Sequence, residues 1–214
     1  MSKKKPESTS ARQAKLAEAR KAQQASERKM VILLVVAATV VIALILAFVA
    51  WAVWKELGEQ EAAGDLKGVQ QYDHKAMEHT PGKVDYSESP PTGGEHNPIW
   101  MNCGTYDEPL PDEHAVHSLE HGAVWITYEP DLKQSEVDQL EKATPDTYAL
   151  LSPYEGDMDS PIVLSAWGYQ LGVDSADDPR IKAFMEKYRQ GEQTPEPGAA
   201  CTGGIESPAQ SQVQ

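Results

Sequence analysis

The side chains best suited to chemistry lie in one short segment, Asp112–Gly122, which reads DEHAVHSLEHG. Pro111 precedes it, Asp112 is a good helix N-cap and Gly122 a good residue just past a helix end, so the spacing predicts a two-turn helix. At about 100° per residue His114, His117 and His121 share one side of that helix, while Ala115, Val116 and Leu119 face the other way, toward a core. Imidazoles at i and i+4 can hold one transition ion, because the spacing brings both ring nitrogens within about 2 Å of a shared point. His117 and His121 are therefore candidate ligands, with His79 and His96 as the residues that could complete the set. Met101 and Cys103 are soft donors that would bias the site toward copper over zinc if they approached it. The alternative at this point is a hydrogen-bonded or solvated histidine face without metal.

The same stretch, His117-Ser-Leu-Glu120-His121, matches H-x-x-E-H, in which two histidines bind zinc and the glutamate activates water. That motif belongs on a long helix with a further carboxylate ligand from another helix, whereas here Gly122 and an apolar run follow at once. A zinc-dependent hydrolase using this segment, with Glu120 as base, stands as an alternative behind a non-enzymatic role. Ser118 precedes an acid and a histidine but has no nucleophile elbow around it. Trp100, Trp125 and Trp167 are expected in the core.

The elements around the segment read as an α+β layer. Ala123–Tyr128 is β-branched and aromatic, a strand ended by Glu129-Pro130. Ser135–Ala143 is a helix with Ser135 as N-cap, and Asp178–Arg189 a second with Ile181, Phe184, Met185 and Tyr188 at helical spacing. Tyr148–Ser152 and Ile162–Tyr169 are two further strands. The expectation is a small sheet with helices packed on one face. Upstream, Asp73–Pro98 is turn-rich, with a short strand around Lys83–Tyr86 and an extended turn at Pro90-Pro91.

What holds this domain in place is Val31–Trp54, an unbroken apolar run without a charge. As a helix it reaches about 36 Å, enough to cross a hydrocarbon core of about 30 Å. Before it stand nine Lys/Arg against three Asp/Glu, and after it ten against thirty, within a net charge of −14. This bias places the N-terminus in the cytoplasm and the large acidic part outside, with Trp51 and Trp54 at the outer interface. Ala50-Trp51-Ala52 offers a signal-peptidase match, but the apolar run is too long for a cleaved signal, so an uncleaved anchor is expected. The expected organisation is a basic cytoplasmic arm over residues 1–30, a transmembrane helix over 31–54 and a polar stalk over 55–71. An extracytoplasmic domain over 72–203 and a disordered tail over 204–214 follow.

An external part this acidic argues against nucleic-acid partners, which need a basic footprint. The chain has two cysteines, Cys103 and Cys201, both on the external side. In an oxidising compartment the pair reads as a disulfide, with a free Cys103 thiol ligand as the alternative.

Several separate blocks carry a family resemblance: Tyr86-Ser-Glu-Ser-Pro-Pro-Thr-Gly-Gly-Glu-His96, Gly104-Thr-Tyr106, Ala115-Val-His-Ser-Leu-Glu-His-Gly122, Ala166-Trp-Gly168 and Pro195-Glu-Pro-Gly-Ala-Ala-Cys201. Together they resemble the domain-of-unknown-function 3105 family over roughly residues 65–203. The resemblance implies a bacterial, mostly actinobacterial, single-span protein with an extracytoplasmic domain, and it implies no reaction. His96, His117, Glu120 and His121 match the family motif, His79 matches a histidine before the proline-rich turn, and Cys103 and Cys201 match its cysteine pattern. His114 falls where the pattern has no fixed histidine, which shifts weight to His117 and His121 with His79 and His96.

The resulting expectation is a membrane-anchored extracytoplasmic binding or accessory module holding copper or zinc through these four histidines, and not an enzyme. A purely structural or assembly role in a membrane protein complex is the alternative, with the histidines bonded to backbone carbonyls of the proline-rich loop.

Overall fold

The computed structural model describes residues 9–64, 66–76 and 78–213. The chain divides into two compact units, Met1–Leu57 and Gly58–Gln214. The first is helical: α1 runs Thr9–Gly64 without a break. Within it Glu27–Trp54, with a mean hydropathy of 3.3, is long and apolar enough to cross a bilayer. Its large side chains are exposed all round, as on Leu44 and Phe48. Thr39, a polar residue inside the run, donates its hydroxyl to the Val36 carbonyl at 2.8 Å, so that no bonding group is left bare there. The basic arm is helical from Thr9; its residues 1–8 lie outside the described ones.

The second unit is α+β. In chain order it comprises β1 (Gln70–Gln71), β2 (Gly104–Thr105), α2 (Asp112–Glu120), β3 (Val124–Tyr128), α3 (Gln134–Ala143), β4 (Ala149–Pro153), β5 (Ile162–Ala166), β6 (Tyr169–Val173) and α4 (Pro179–Tyr188), with a 3-10 turn at Pro208–Val213. The strands form one mixed sheet in the order β1-β6-β5-β3-β4-β2. β3 and β4 are parallel, with Trp125 opposite Leu150, and α3 makes the crossover that parallel neighbours require. β5 pairs antiparallel with both β3 and β6.

The helices cover both faces of this sheet, not the one expected. Val124, Ile126, Ala149, Leu151 and Leu164 pack with Val137 and Leu140 of α3 and Ile181 and Phe184 of α4. Trp125 and Leu150, which alternate with them along β3 and β4, pack with Ala115, Val116 and Leu119 of α2. The reason is visible in burial: every residue of β3, β4 and β5 is buried, as in strands sandwiched on both sides. A continuous apolar run such as Ala123-Val-Trp-Ile-Thr-Tyr128 is the mark of that situation. One-sided burial would have left a polar alternation.

Other boundaries shift for local reasons. Ile162–Tyr169 is not one strand but the start of a hairpin, β5 and β6 joined by Trp167-Gly168. Gly168 takes a φ of +72°, which side chains on Cβ disfavour. Its amide donates to Thr92 O and its carbonyl accepts from Tyr72, both at 2.8 Å. The Lys83–Tyr86 strand is absent; these residues are an extended loop whose Val84 amide donates to Glu113 Oε1 at 3.0 Å. The polar stalk is also shorter than expected. α1 extends through Gly64, Leu66 and Val69 pack on the core, and Gln70–Gln71 already pairs with β6. The 204–214 tail is anchored rather than disordered, because Ile205 is buried and its amide donates to Trp100 O at 2.9 Å. Gln214 lies outside the described residues.

Candidate metal centre

α2 forms where expected, with different capping. Pro111 holds the N-cap position and Asp112 and Glu113 place their carboxylates in the first turn, where the helix dipole favours them. At the other end the Ala123 amide donates to Ser118 O and the Gly122 amide to Leu119 O, both at 2.9 Å, with Gly122 at a φ of +96°. That pair of bonds is a Schellman ending, and it turns the chain directly into β3. The apolar side of α2 is thereby fixed on the sheet. Its histidine side meets the loops that run from His79 to Met101.

Those loops are clipped together beside the helix. His79 and His96 form a bridge in which Thr80 N–H donates to His96 O at 2.7 Å and His96 N–H to Glu78 O at 3.0 Å. The result brings donors from three segments to one point. One donor atom each from His79, His96, His117 and Glu120 lie within 4.8 Å of one another. His96 and Glu120 are fully buried, His117 nearly so, and His79 has 39% of its side chain exposed.

The hydrogen bonds fix which nitrogens are free. His96 Nδ1 lies 2.7 Å from Gly94 O, and His117 Nδ1 2.6 Å from Asn97 O. His121 Nδ1 lies 2.6 Å from Ala200 O, and His114 Nδ1 2.6 Å from Ile99 O. A carbonyl oxygen only accepts, so each of these Nδ1 atoms carries the proton, and in the neutral ring each Nε2 presents a bare lone pair. Metal-binding histidines are held in this way, the ring nitrogen away from the ion donating to a carbonyl or carboxylate that fixes the ring's orientation. The Nε2 atoms then point at one another and at a carboxylate. His117 Nε2 is 3.0 Å from His121 Nε2, His96 Nε2 is 3.0 Å from Glu120 Oε2, and His79 Nε2 is 3.7 Å from the same oxygen. Lone pairs facing across 3 Å repel unless a proton or a cation lies between them.

Electrostatics keep one of these rings ready to ligate. Burial pushes His117 down from 6.5 to about 4, against the pull of the Asn97 carbonyl, and the neighbouring imidazoles of His121, His96 and His79 add to the fall. At neutral pH His117 is therefore uncharged, the form in which an imidazole can ligate. Indole rings wall the cluster: Trp100 packs at 5.0 Å from His121 and 5.7 Å from His117, and Trp167 at 5.8 Å from His96.

Each expected site residue has a definite place. His79, His96 and His117 come together, joined by Glu120; His121 stands next to His117, at the margin of the group. His114 holds the Ile99 loop and lies outside the donor set, so the three-histidine face divides. Met101 is fully buried in the core on the apolar side of α2, and Cys103 is joined to Cys201 with a Cα–Cα distance of 5.4 Å. Neither is a donor here, which removes the soft-ligand bias toward copper. The sequence reading missed the Asn97 and Ala200 carbonyls and Glu196, whose Oε2 is 3.5 Å from His121 Nε2. Backbone carbonyls leave no trace in residue type, but Glu196 and Ala200 both lie in the block Pro195–Cys201 that carried the resemblance.

Fold and site together define an α+β domain with a largely buried cluster of histidines and one carboxylate, whose donor atoms converge from a helix and two loops. The chain belongs to the family described as Protein of unknown function (DUF3105), whose model matches residues 78–203 and so takes in every residue of the cluster. No curated protein and no solved structure matches it.

Proposed function

We propose that this protein is a membrane-anchored, extracytoplasmic metal-binding module, with His79, His96, His117 and Glu120 as ligands and His121 beside them. The observation that carries the reading is the pairing of roles on each buried ring: Nδ1 is bound to a carbonyl, and Nε2 is bare and aimed at the other donors. Three imidazoles and a carboxylate form a nitrogen and oxygen set of the kind zinc takes, with Zn–N of about 2.0–2.1 Å, and without thiolate or thioether it gives copper(I) no advantage. Such an ion would replace the proton that the His96–Glu120 contact otherwise needs. Glu120 fits better as a ligand than as a hydrolytic base, because its carboxylate is fully buried against His96. A binding role is favoured over an enzymatic one on that ground.

The extracytoplasmic placement rests on the basic-before, acidic-after asymmetry about an apolar helix, and the Cys103–Cys201 bridge agrees with an oxidising compartment. The test is elemental analysis of the full-length protein in mild detergent, followed by zinc titration. One ion per chain is expected, lost in His96→Ala combined with His117→Ala. Absence of stoichiometric metal, with added-zinc affinity the same in both proteins, would refute the site. A second reading, in which the histidines only brace loops, draws on the same Nδ1 bonds to Gly94, Asn97, Ile99 and Ala200. It predicts that the double variant is less stable and that a chelator changes nothing.

A further inference from the structure

We infer that His121 and Glu196 form an outer coordination position through which a zinc-like ion is exchanged with the inner set; this rests on the metal-binding reading above. Leaving aside His79, an inner donor with 39% of its side chain exposed, the donors run from buried to exposed. Glu120 and His96 are fully buried, His117 and His121 are almost so, and Glu196 has 31% of its side chain exposed. Along that line the steps are short: 3.0 Å from His117 Nε2 to His121 Nε2, and 3.5 Å from His121 Nε2 to Glu196 Oε2. With Zn–N near 2.0–2.1 Å, adjacent ligands on one ion sit roughly 3 to 3.5 Å apart. An ion can therefore gain each new ligand before it gives up the last.

The outer position is built rather than incidental. His121 cannot offer Nδ1, which is engaged by Ala200 O, so only Nε2 can ligate. Its carbonyl accepts from Gln190 Nε2, and Gln190 Oε1 accepts the Gly198 amide at 3.1 Å, which ties the loop bearing Glu196 to the end of α2. The Glu196 amide donates to Glu120 O at 3.1 Å, joining that loop to the residue that supplies the inner carboxylate. Trp100 covers the His117 and His121 rings from the side, leaving the carboxylate of Glu196 at the rim.

The exchange balances as ligand substitution. A nitrogen–metal bond forms at His121 Nε2, a carboxylate–metal bond forms at Glu196, and the bonds to Glu120 and His96 break. Direct loss past His79 would instead break bonds with only water to replace them. Glu196 thus sets the rate of exchange and not the resting affinity.

The experiment is stopped-flow transfer of Zn2+ from the loaded full-length protein in detergent to an excess colorimetric chelator. Glu196→Gln is expected to slow release about tenfold, which is a rise in barrier of about 1.36 kcal/mol, with one ion per chain retained. His121→Ala should slow it further at unchanged stoichiometry, with thermal unfolding of both zinc-free variants checking that the fold survives. Equal release rates for wild type and Glu196→Gln would overturn the exchange position and leave the inner site standing. Loss of the ion in His121→Ala would make His121 an inner ligand and overturn the proposal in another way. Failure of wild type to hold zinc at all would remove the inner site as well.

Discussion

Acidifying the metal-free protein should expose the cost of keeping His117 neutral. The ring is 4% exposed and its folded-state value lies at about 4, against 6.5 in the unfolded chain. Above pH 6.5 it is neutral in both states and its contribution is complete. As the pH falls from 6.5 toward 4 the unfolded chain takes up a proton that the buried ring refuses, so stability is lost across that window and no further below it. From 6.5 to about 4, at 1.36 kcal/mol per pH unit, the loss is about 3 kcal/mol. The assay is urea unfolding in chelator, followed by tryptophan fluorescence, since the Trp100 ring lies 5.7 Å from His117. Because carboxylates titrate in the same range, the comparison is with His117→Asn, whose amide can still donate to Asn97 O. The gap between the two proteins should narrow steadily as the pH falls from 7 to 4. A gap constant within about 0.5 kcal/mol, near the limit of linear extrapolation, would refute the buried neutral imidazole. Zinc at a thousandfold its Kd should add about 4.1 kcal/mol to wild type at pH 7.

Two other substitutions test the frame around the cluster. Cys103→Ser opens a cross-link between residues 98 apart and should lower stability by up to about 4.7 kcal/mol, read as a fall in Tm that reductant reproduces in wild type. An unchanged melting curve under reductant would mean that the bridge carries no part of the fold's stability. Gly168→Ala puts a Cβ at a φ of +72° and 2.9 Å from Tyr72 O, so it should cost about 1–3 kcal/mol, measured as a lower urea midpoint. A midpoint unchanged from wild type would rule out that turn geometry.

The helices, the β3–α3–β4 order and the histidine candidates were legible because each depends on neighbours in the chain, although Pro111 and Lys133, not Asp112 and Ser135, hold the N-cap positions of α2 and α3. Asp178 shows this well: its carboxylate accepts the Arg180 amide at 2.9 Å, with Pro179 in the first turn. What was not legible depends on distant partners. Two-sided burial of β3 follows from α2 and the α3–α4 pair lying on opposite faces, and an apolar run alone does not say how many layers cover it. The β5–β6 hairpin turns on Gly168, whose neighbours Thr92 and Tyr72 are far off in sequence. His114 shares the helix face of His117, yet Ile99 O takes its ring away from the donors. Glu120 occupies the base position of H-x-x-E-H, but its contact with His96, 24 residues away in the chain, left no mark in that motif. Ile205 gives the C-terminal segment a buried anchor that its Ser- and Gln-rich composition hides.

The pieces of the cluster are spread along the chain from His79 to Ala200, and the last of them, the Ala200 carbonyl, adjoins the cysteine that closes the bridge to Cys103. A chain made from its N-terminus delivers His79, His96 and α2 well before that carbonyl. His121 has no oriented ring until the C-terminal loop arrives and is stapled down. Completion of the cluster therefore has a built-in order: His79, His96 and α2 come first, and the Ala200 carbonyl, next to the Cys103–Cys201 bridge, comes last. An ion held by the complete cluster would mark a chain whose synthesis and cross-linking are both done.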